Sequence, residues 1–299
     1  MKIPSVARLF LVLAIFGTGS GLLSIAISNI LIFPSRAGPP SEVPLIPGIS
    51  FVARNADGNK ISASWYPGNA SAGAVLLCHG HSANHLHMMD MAGFLHTVGY
   101  NILAFDFRAH GLSEGRFTSI GLLEWQDVAA VIDTAETKGL LPTSMPLAAY
   151  GRSMGAATLA NGSGRLGRIN AFLLESSFAD LRIIGGRDVA RMSGIPDTFL
   201  LDWIFTLARW RTGIDYASNR PVEGIKGIGN RPLLLIHDAL DTRATREDHD
   251  RLKAAVSHAQ ELIMPDAWHI QGHQPPPAPF EPIVLEFLRS SGILPAPQK

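Results

Sequence analysis

The chain has 299 residues, 46% hydrophobic and 17% charged, enough for one large domain with a well-buried core. Its 25 Lys and Arg balance 25 Asp and Glu, which excludes the one-signed field that nucleic acid or a strongly charged protein partner requires. The lone cysteine, Cys78, excludes an internal disulfide and, at the end of an apolar strand, reads as a packed thiol.

The chain opens on Lys2 and Arg8, and no charged residue follows from Leu9 to Ser35. A run of that length suffices for a transmembrane helix, which needs about 20 residues. The positive flank marks residues 1–8 as cytoplasmic. Residues 9–33 are therefore expected to be an uncleaved signal anchor, longer than the ~7–15 apolar residues of a cleavable signal peptide. The expected product is a single-pass membrane protein with its domain on the extracytoplasmic side. Residues 34–48 hold five prolines and read as a stiff linker.

The domain is expected over residues 49–299. Phe51–Arg54 and Lys60–Tyr66 alternate about Asn55-Ala56-Asp57-Gly58, a hairpin signature. Ala74–Cys78 is a continuous apolar run, as a strand covered on both faces should be. A helix near residues 87–98, a strand over Asn101–Asp106 and a helix near 122–138 follow. The next strand ends at Gly151 and leads into an Ala-rich helix, and Ala171–Glu175 is strand again. Residues 180–221 exceed what a crossover needs and carry Leu201, Trp203, Ile204, Phe205 and Trp210, which suits a small cap over a pocket or ordinary packing on the sheet. Pro232–His237 and Glu261–Met264 are the last strands, with helices near 246–257 and 280–289. Strands alternating with helices predict an α/β fold with a mostly parallel sheet and helices on both faces.

The strand-to-helix junction reads Gly151-Arg152-Ser153-Met154-Gly155, a G-x-S-x-G turn that lifts a serine above the sheet edge. A serine nucleophile needs a base, an acid to orient the base, and donors for the oxyanion. Asp241 follows the strand ending at His237, and His269 follows the last strand. Loops after parallel strands converge on one edge, so Ser153, Asp241 and His269 can meet. Asp238 and His273 are the rival acid and base.

This serine–acid–histidine order resembles that of the α/β-hydrolases, and further segments share the likeness. His79-Gly80-His81 is similar to the family's loop after the third strand. Asp106-Phe107-Arg108-Ala109-His110-Gly111-Leu112-Ser113-Glu114-Gly115 is similar to its D-x-R-x-x-G-x-S-x-G loop, and Glu175-Ser176-Ser177-Phe178 to the strand end before the cap. The chain is most similar to membrane-anchored or secreted serine hydrolases akin to ABHD-type and dienelactone-hydrolase-like esterases. The resemblance implies an α/β-hydrolase fold and a carboxylesterase acting on small acyl esters. It implies a catalytic Ser153–Asp241–His269 triad and oxyanion donation by the N–H groups of His81 and Met154. A peptidase, thioesterase or lipase on the same residues, or a tethered binding protein without turnover, are the alternatives.

No cofactor is implied. His79, His81, His85 and His87 are dense enough to suggest zinc, but no H-E-x-x-H accompanies them, and two of them fall in the oxyanion loop. Gly162-Ser163-Gly164-Arg165-Leu166-Gly167 fits G-x-G-x-x-G, but it follows a helix and precedes a strand, the reverse of a dinucleotide-binding turn.

Overall fold

Strands buried on both faces are mostly apolar, and edge strands alternate. The chain separates on that rule. In a computed structural model that describes residues 21–41, 43, 45–194, 200–272 and 279–295, β3 (Ala74–Cys78), β4 (Asn101–Phe105), β5 (Leu147–Arg152), β6 (Ala171–Glu175) and β7 (Leu233–Asp238) are buried at every position. The two edges, β1 (Ile49–Arg54) and β8 (Gln260–Met264), are only partly covered. With β2 (Lys60–Tyr66) they form one sheet in the order β1-β2-β4-β3-β5-β6-β7-β8. The β2 strand is antiparallel to both neighbours, and every other pair is parallel. The hairpin closes as the turn residues predict, with Arg54 opposite Lys60 and Gly58 at φ +83°.

Alternate side chains of each central strand feed two separate cores. Leu76 and Cys78 face one, Val75 and Leu77 the other. The first is covered by α3 (Trp125–Thr137), α4 (Met154–Gly162) and α8 (Arg246–Ala255), the second by α2 (Met89–Thr97) and α9 (Phe280–Ser290). Cys78 is fully buried, and burial pushes its thiol well above the ordinary range. Between β6 and β7 stand α5 (Leu181–Ser193), α6 (Leu200–Thr212) and the one-turn α7 (Pro221–Gly224). Leu201, Ile204 and Phe205 of α6 are buried, whereas Trp203 and Trp210 lie outside, 64% and 84% exposed.

The expected anchor lies only partly within the described residues. Residues 1–20, which include the cytoplasmic flank and the first half of the anchor, lie outside the described residues, and among the described residues no helix is long and apolar enough to cross a membrane. Residues 21–32, the second half of the apolar run, form helix α1. Instead of facing lipid all round, α1 buries Ser24, Ile27, Ser28 and Ile32, with Ile27 and Ile32 in the first core. Serines four apart on a helix share one face, and here that face meets protein. The chain beyond α1 stays close to the domain: Arg36 Nη1 donates to the carbonyls of Gly111 (2.6 Å) and Ser113 (2.9 Å), and Asn84 Nδ2 donates to the carbonyl of Ala37 (2.8 Å).

Candidate active site

The turn that carries Ser153 is shaped by what cannot fit around it. Ser153 sits at φ +53°, ψ −115°, a conformation costly for any residue with a Cβ. A Cβ on Gly151 would lie 2.6 Å from the Ala156 nitrogen, and one on Gly155 would lie 2.1 Å from the Cys78 carbonyl oxygen. Both neighbours are backbone and cannot yield, so the two glycines of the motif are demanded by packing. The Ser153 N–H donates to the Glu175 carbonyl at 2.9 Å, tying the turn to the adjacent strand.

Two loops bring the partners. Asp241 follows β7, and His269 follows β8. His269 Nδ1 lies 2.6 Å from Asp241 Oδ2, and its Nε2 lies 2.9 Å from Ser153 Oγ. A carboxylate can only accept, so the Nδ1–H donates to Asp241, and Nε2 is left to accept from the serine hydroxyl. Asp241 is fixed by its other oxygen, which accepts from the Arg243 N–H (2.7 Å) and the Ala244 N–H (3.0 Å).

Asp238 is engaged elsewhere. Its Oδ2 accepts from Ser176 Oγ at 2.6 Å, and Ser176 Oγ in turn accepts from the N–H of Ile270, next to His269. Burial first, then the Glu175 charge, pushes the Asp238 carboxyl up to about 7. His273 lies outside the described residues.

The oxyanion candidates flank the serine. Met154 is the first residue of α4, where helix N–H groups have no carbonyl within the helix and the dipole favours negative charge. The His79–His81 loop passes close by, since a Cβ on Gly80 would lie 3.6 Å from Ser153 Cβ. His81, Ser153 and Met154 together line a pocket of about 120 Å³. The other walls come from α1, from Ile120, and from α5 and α6, and they are apolar except for Asp188 and Arg243. Asp188 Oδ2 accepts from Arg243 Nη2 at 2.9 Å, and Arg191 Nη2 is bonded to its other oxygen. The His81 ring is pushed down to about 4 by burial and then by His110, so it is neutral near pH 7, and its Nε2 lies 3.2 Å from the Leu31 carbonyl of α1.

A second strained residue lines this pocket, and the sequence reading missed it. Ile120 is β-branched yet sits at φ +56°, where such residues are outliers. Buried polar groups from distant parts of the chain hold it there. The Glu124 carboxylate accepts from Thr118 Oγ1, from the N–H groups of Ser119 and Gly121, and from the Ser119 hydroxyl. Asn219 Nδ2 donates to the Ile120 carbonyl (2.8 Å), Asn161 Nδ2 to that of Gly121 (3.0 Å), and Tyr216 OH to that of Thr118 (2.8 Å). The one local signal was an acidic residue inside the apolar stretch Ile120–Trp125.

The remaining motifs serve the scaffold. Asp106 accepts from the N–H groups of His85 and Leu112, each at 2.8 Å, and from His85 Nδ1 at 2.7 Å. Gly111 is required because a Cβ there would lie 2.2 Å from Asp106 Oδ2. Arg108 pairs with the buried Asp127. The four clustered histidines turn to different partners: Gly80 O and the Phe107 N–H for His79, Leu31 for His81, Asp106 for His85, Asn84 for His87. Among the described residues no three His, Cys, Asp or Glu side chains are grouped to hold a metal ion. Beneath the serine, Arg152 lies between Glu175 (3.0 Å) and Asp90 (3.2 Å), and Tyr150 OH bonds Glu175.

Comparison with known proteins agrees with this architecture. The chain is 29% identical over 167 residues to Rv2307c of Mycobacterium tuberculosis, covering 52% of this chain and 56% of that protein. It is 27% identical over 214 residues to YfhR of Escherichia coli, covering 70% and 67%. In three dimensions it is similar to the esterase Pf2001 of Pyrococcus furiosus, with a TM-score of 0.69 at 24% identity over 86% of this chain and 98% of that one. The family described as serine aminopeptidase, S33, matches residues 69–274. That match spans the serine turn and both partner loops, and the chain belongs to this family of α/β-hydrolases.

Proposed function

We propose that this hydrolase cleaves carboxylic esters through an acyl-enzyme. The observation that carries the reading is the hydrogen-bonded chain Asp241–His269–Ser153, set on a strained turn at the floor of an apolar pocket. His269 Nε2 takes the Ser153 proton as Oγ attacks the acyl carbon, and Asp241 holds the imidazole and stabilises the imidazolium. The N–H groups of His81 and Met154 receive the oxyanion. The imidazolium returns the proton to the leaving alkoxide, and a water activated by the same imidazole then releases the acid.

The family's name raises an aminopeptidase as the second reading. A free α-ammonium group needs an uncommitted carboxylate, and the one acid lining the pocket among the described residues, Asp188, is already paired with Arg243 and Arg191. The pocket therefore favours an apolar acyl group over an amino-terminal residue. Assay of the full chain on p-nitrophenyl butyrate beside aminoacyl p-nitroanilides tests this. Ester turnover that is lost in Ser153→Ala, with no anilide cleavage, is expected; preferential anilide cleavage contradicts it.

The chain is further proposed to work at a membrane. The charge-free run from Leu9, the exposed Leu22, Ile25 and Ile30 of α1 and the exposed Phe33 just after it support this. Retention in membranes at physiological salt with release at alkaline pH is expected. A chain found free in the soluble fraction contradicts it.

A further inference from the structure

The N-terminal helix does more than lean on the domain. The last four carbonyls of a helix have no partner within it, and in α1 the final ones are taken by the two loops that build the site. The Leu31 carbonyl accepts from His81 Nε2 at 3.2 Å, in the loop whose backbone faces the serine. The Ile32 carbonyl accepts from the Thr118 N–H at 3.0 Å, in the loop that presents Ile120. On its other flank, Asn29 Oδ1 accepts from Arg211 Nη1 of α6 at 2.6 Å. Ile27, Ile30 and Leu31 line the pocket together with Ile184, Val189 and Leu201. None of the three α1 residues carries a polar group beyond its backbone, so what they can recognise is apolar.

We infer that helix α1 is a wall of the acyl site and sets the length of acyl chain the enzyme accepts, an assignment that rests on the ester-hydrolase reading above. An apolar cavity of about 150 Å³ accepts benzene, so the 120 Å³ here suits an acyl group of about four to six carbons. Shortening an α1 side chain lengthens the slot, and enlarging one shortens it. Closely packed apolar walls discriminate by about 10- to 200-fold per methylene, so the change is large enough to read.

The test is the kcat/KM profile of the full chain on p-nitrophenyl esters from acetate to decanoate, for wild type, Ile27→Ala, Ile27→Phe and Leu31→Ala. Wild type is expected to peak at butyrate or hexanoate. Ile27→Ala and Leu31→Ala move the peak at least two carbons longer, and Ile27→Phe lowers the hexanoate-to-acetate ratio about tenfold. Val52→Ala, on the exposed face of β1, leaves the ratio as it is. If Ile27→Phe does not fold, the two alanine variants decide. Profiles matching wild type in both, with Ser153 still labelled by a fluorophosphonate, overturn the assignment of α1 alone. A folded wild type that takes no label and cleaves no ester overturns the hydrolase reading and this assignment with it.

Discussion

Two residues at the pocket, Ser153 and Ile120, are held at almost the same positive φ, +53° and +56°, by opposite means. The serine turn is held by backbone. Its glycines let α4 close against the Cys78 carbonyl, and its N–H joins β6. The isoleucine loop is held by side chains that arrive from up to 100 residues away, with Asn219 reaching back to Ser119 and Glu124 at its centre. Strain of this kind costs about 1–3 kcal/mol per residue and persists only where the surroundings determine the conformation. Backbone support costs no buried charge. Side-chain support needs a desolvated carboxylate and fails if one partner is removed.

The contrast can be broken at either end. Ser153→Ala is expected to have the largest effect, a fall in ester kcat of about 10⁵-fold or more, with the fold retained because no bond that holds the turn uses the hydroxyl. Asp241→Asn comes next, at about 10⁴-fold, since an amide in that place favours the wrong imidazole tautomer. Steady-state kinetics beside a thermal melt separates both from unfolding.

The opposite pattern is expected at the second loop. Glu124→Ala leaves the donors of Thr118, Ser119 and Gly121 without an acceptor, and urea unfolding should register a loss of about 3–5 kcal/mol, with activity falling through Ile120. Asn219→Ala removes two bonds from the same loop and should cost about 1–3 kcal/mol. If Glu124→Ala melts like wild type, the account of that loop is wrong.

This difference also explains what was legible in the sequence. The motif residues of the serine turn lie within five positions of one another, so Gly151, Ser153 and Gly155 declared it. The hairpin and the mostly apolar central strands were legible for the same local reason. Asp241 and His269 were read from their positions after strands together with a family likeness, and the structure joins them to Ser153 in one hydrogen-bonded chain. The Ile120 loop was not legible, because Asn161, Tyr216 and Asn219 become its partners only after the chain folds. The contacts of helix α1 with the domain were not legible for a different reason. An apolar, charge-free segment satisfies a bilayer and a protein core equally well, and only Ser24 and Ser28, four apart on the buried face, pointed to the core.

The last prediction concerns pH. Asp238 is buried, and its carboxyl is pushed up to about 7 by burial and by Glu175, whereas an unfolded chain releases that proton near pH 4. The folded state therefore binds the extra proton between those values. Stability from this site is full below about pH 4 and is lost as pH rises through about 7. Asp238→Asn should flatten the dependence of melting on pH across that window. A profile as steep as wild type would assign the slope to other groups.

The central claim is that Ser153 is the nucleophile and that His269, oriented by Asp241, is its base. The most direct measurement is reaction of the folded full chain with a fluorophosphonate, followed by peptide mapping of the adduct. A single adduct on Ser153 is predicted, absent from Ser153→Ala and formed about 10³-fold more slowly or worse in His269→Ala. An adduct on another serine, or none on a folded wild-type chain, would contradict the account.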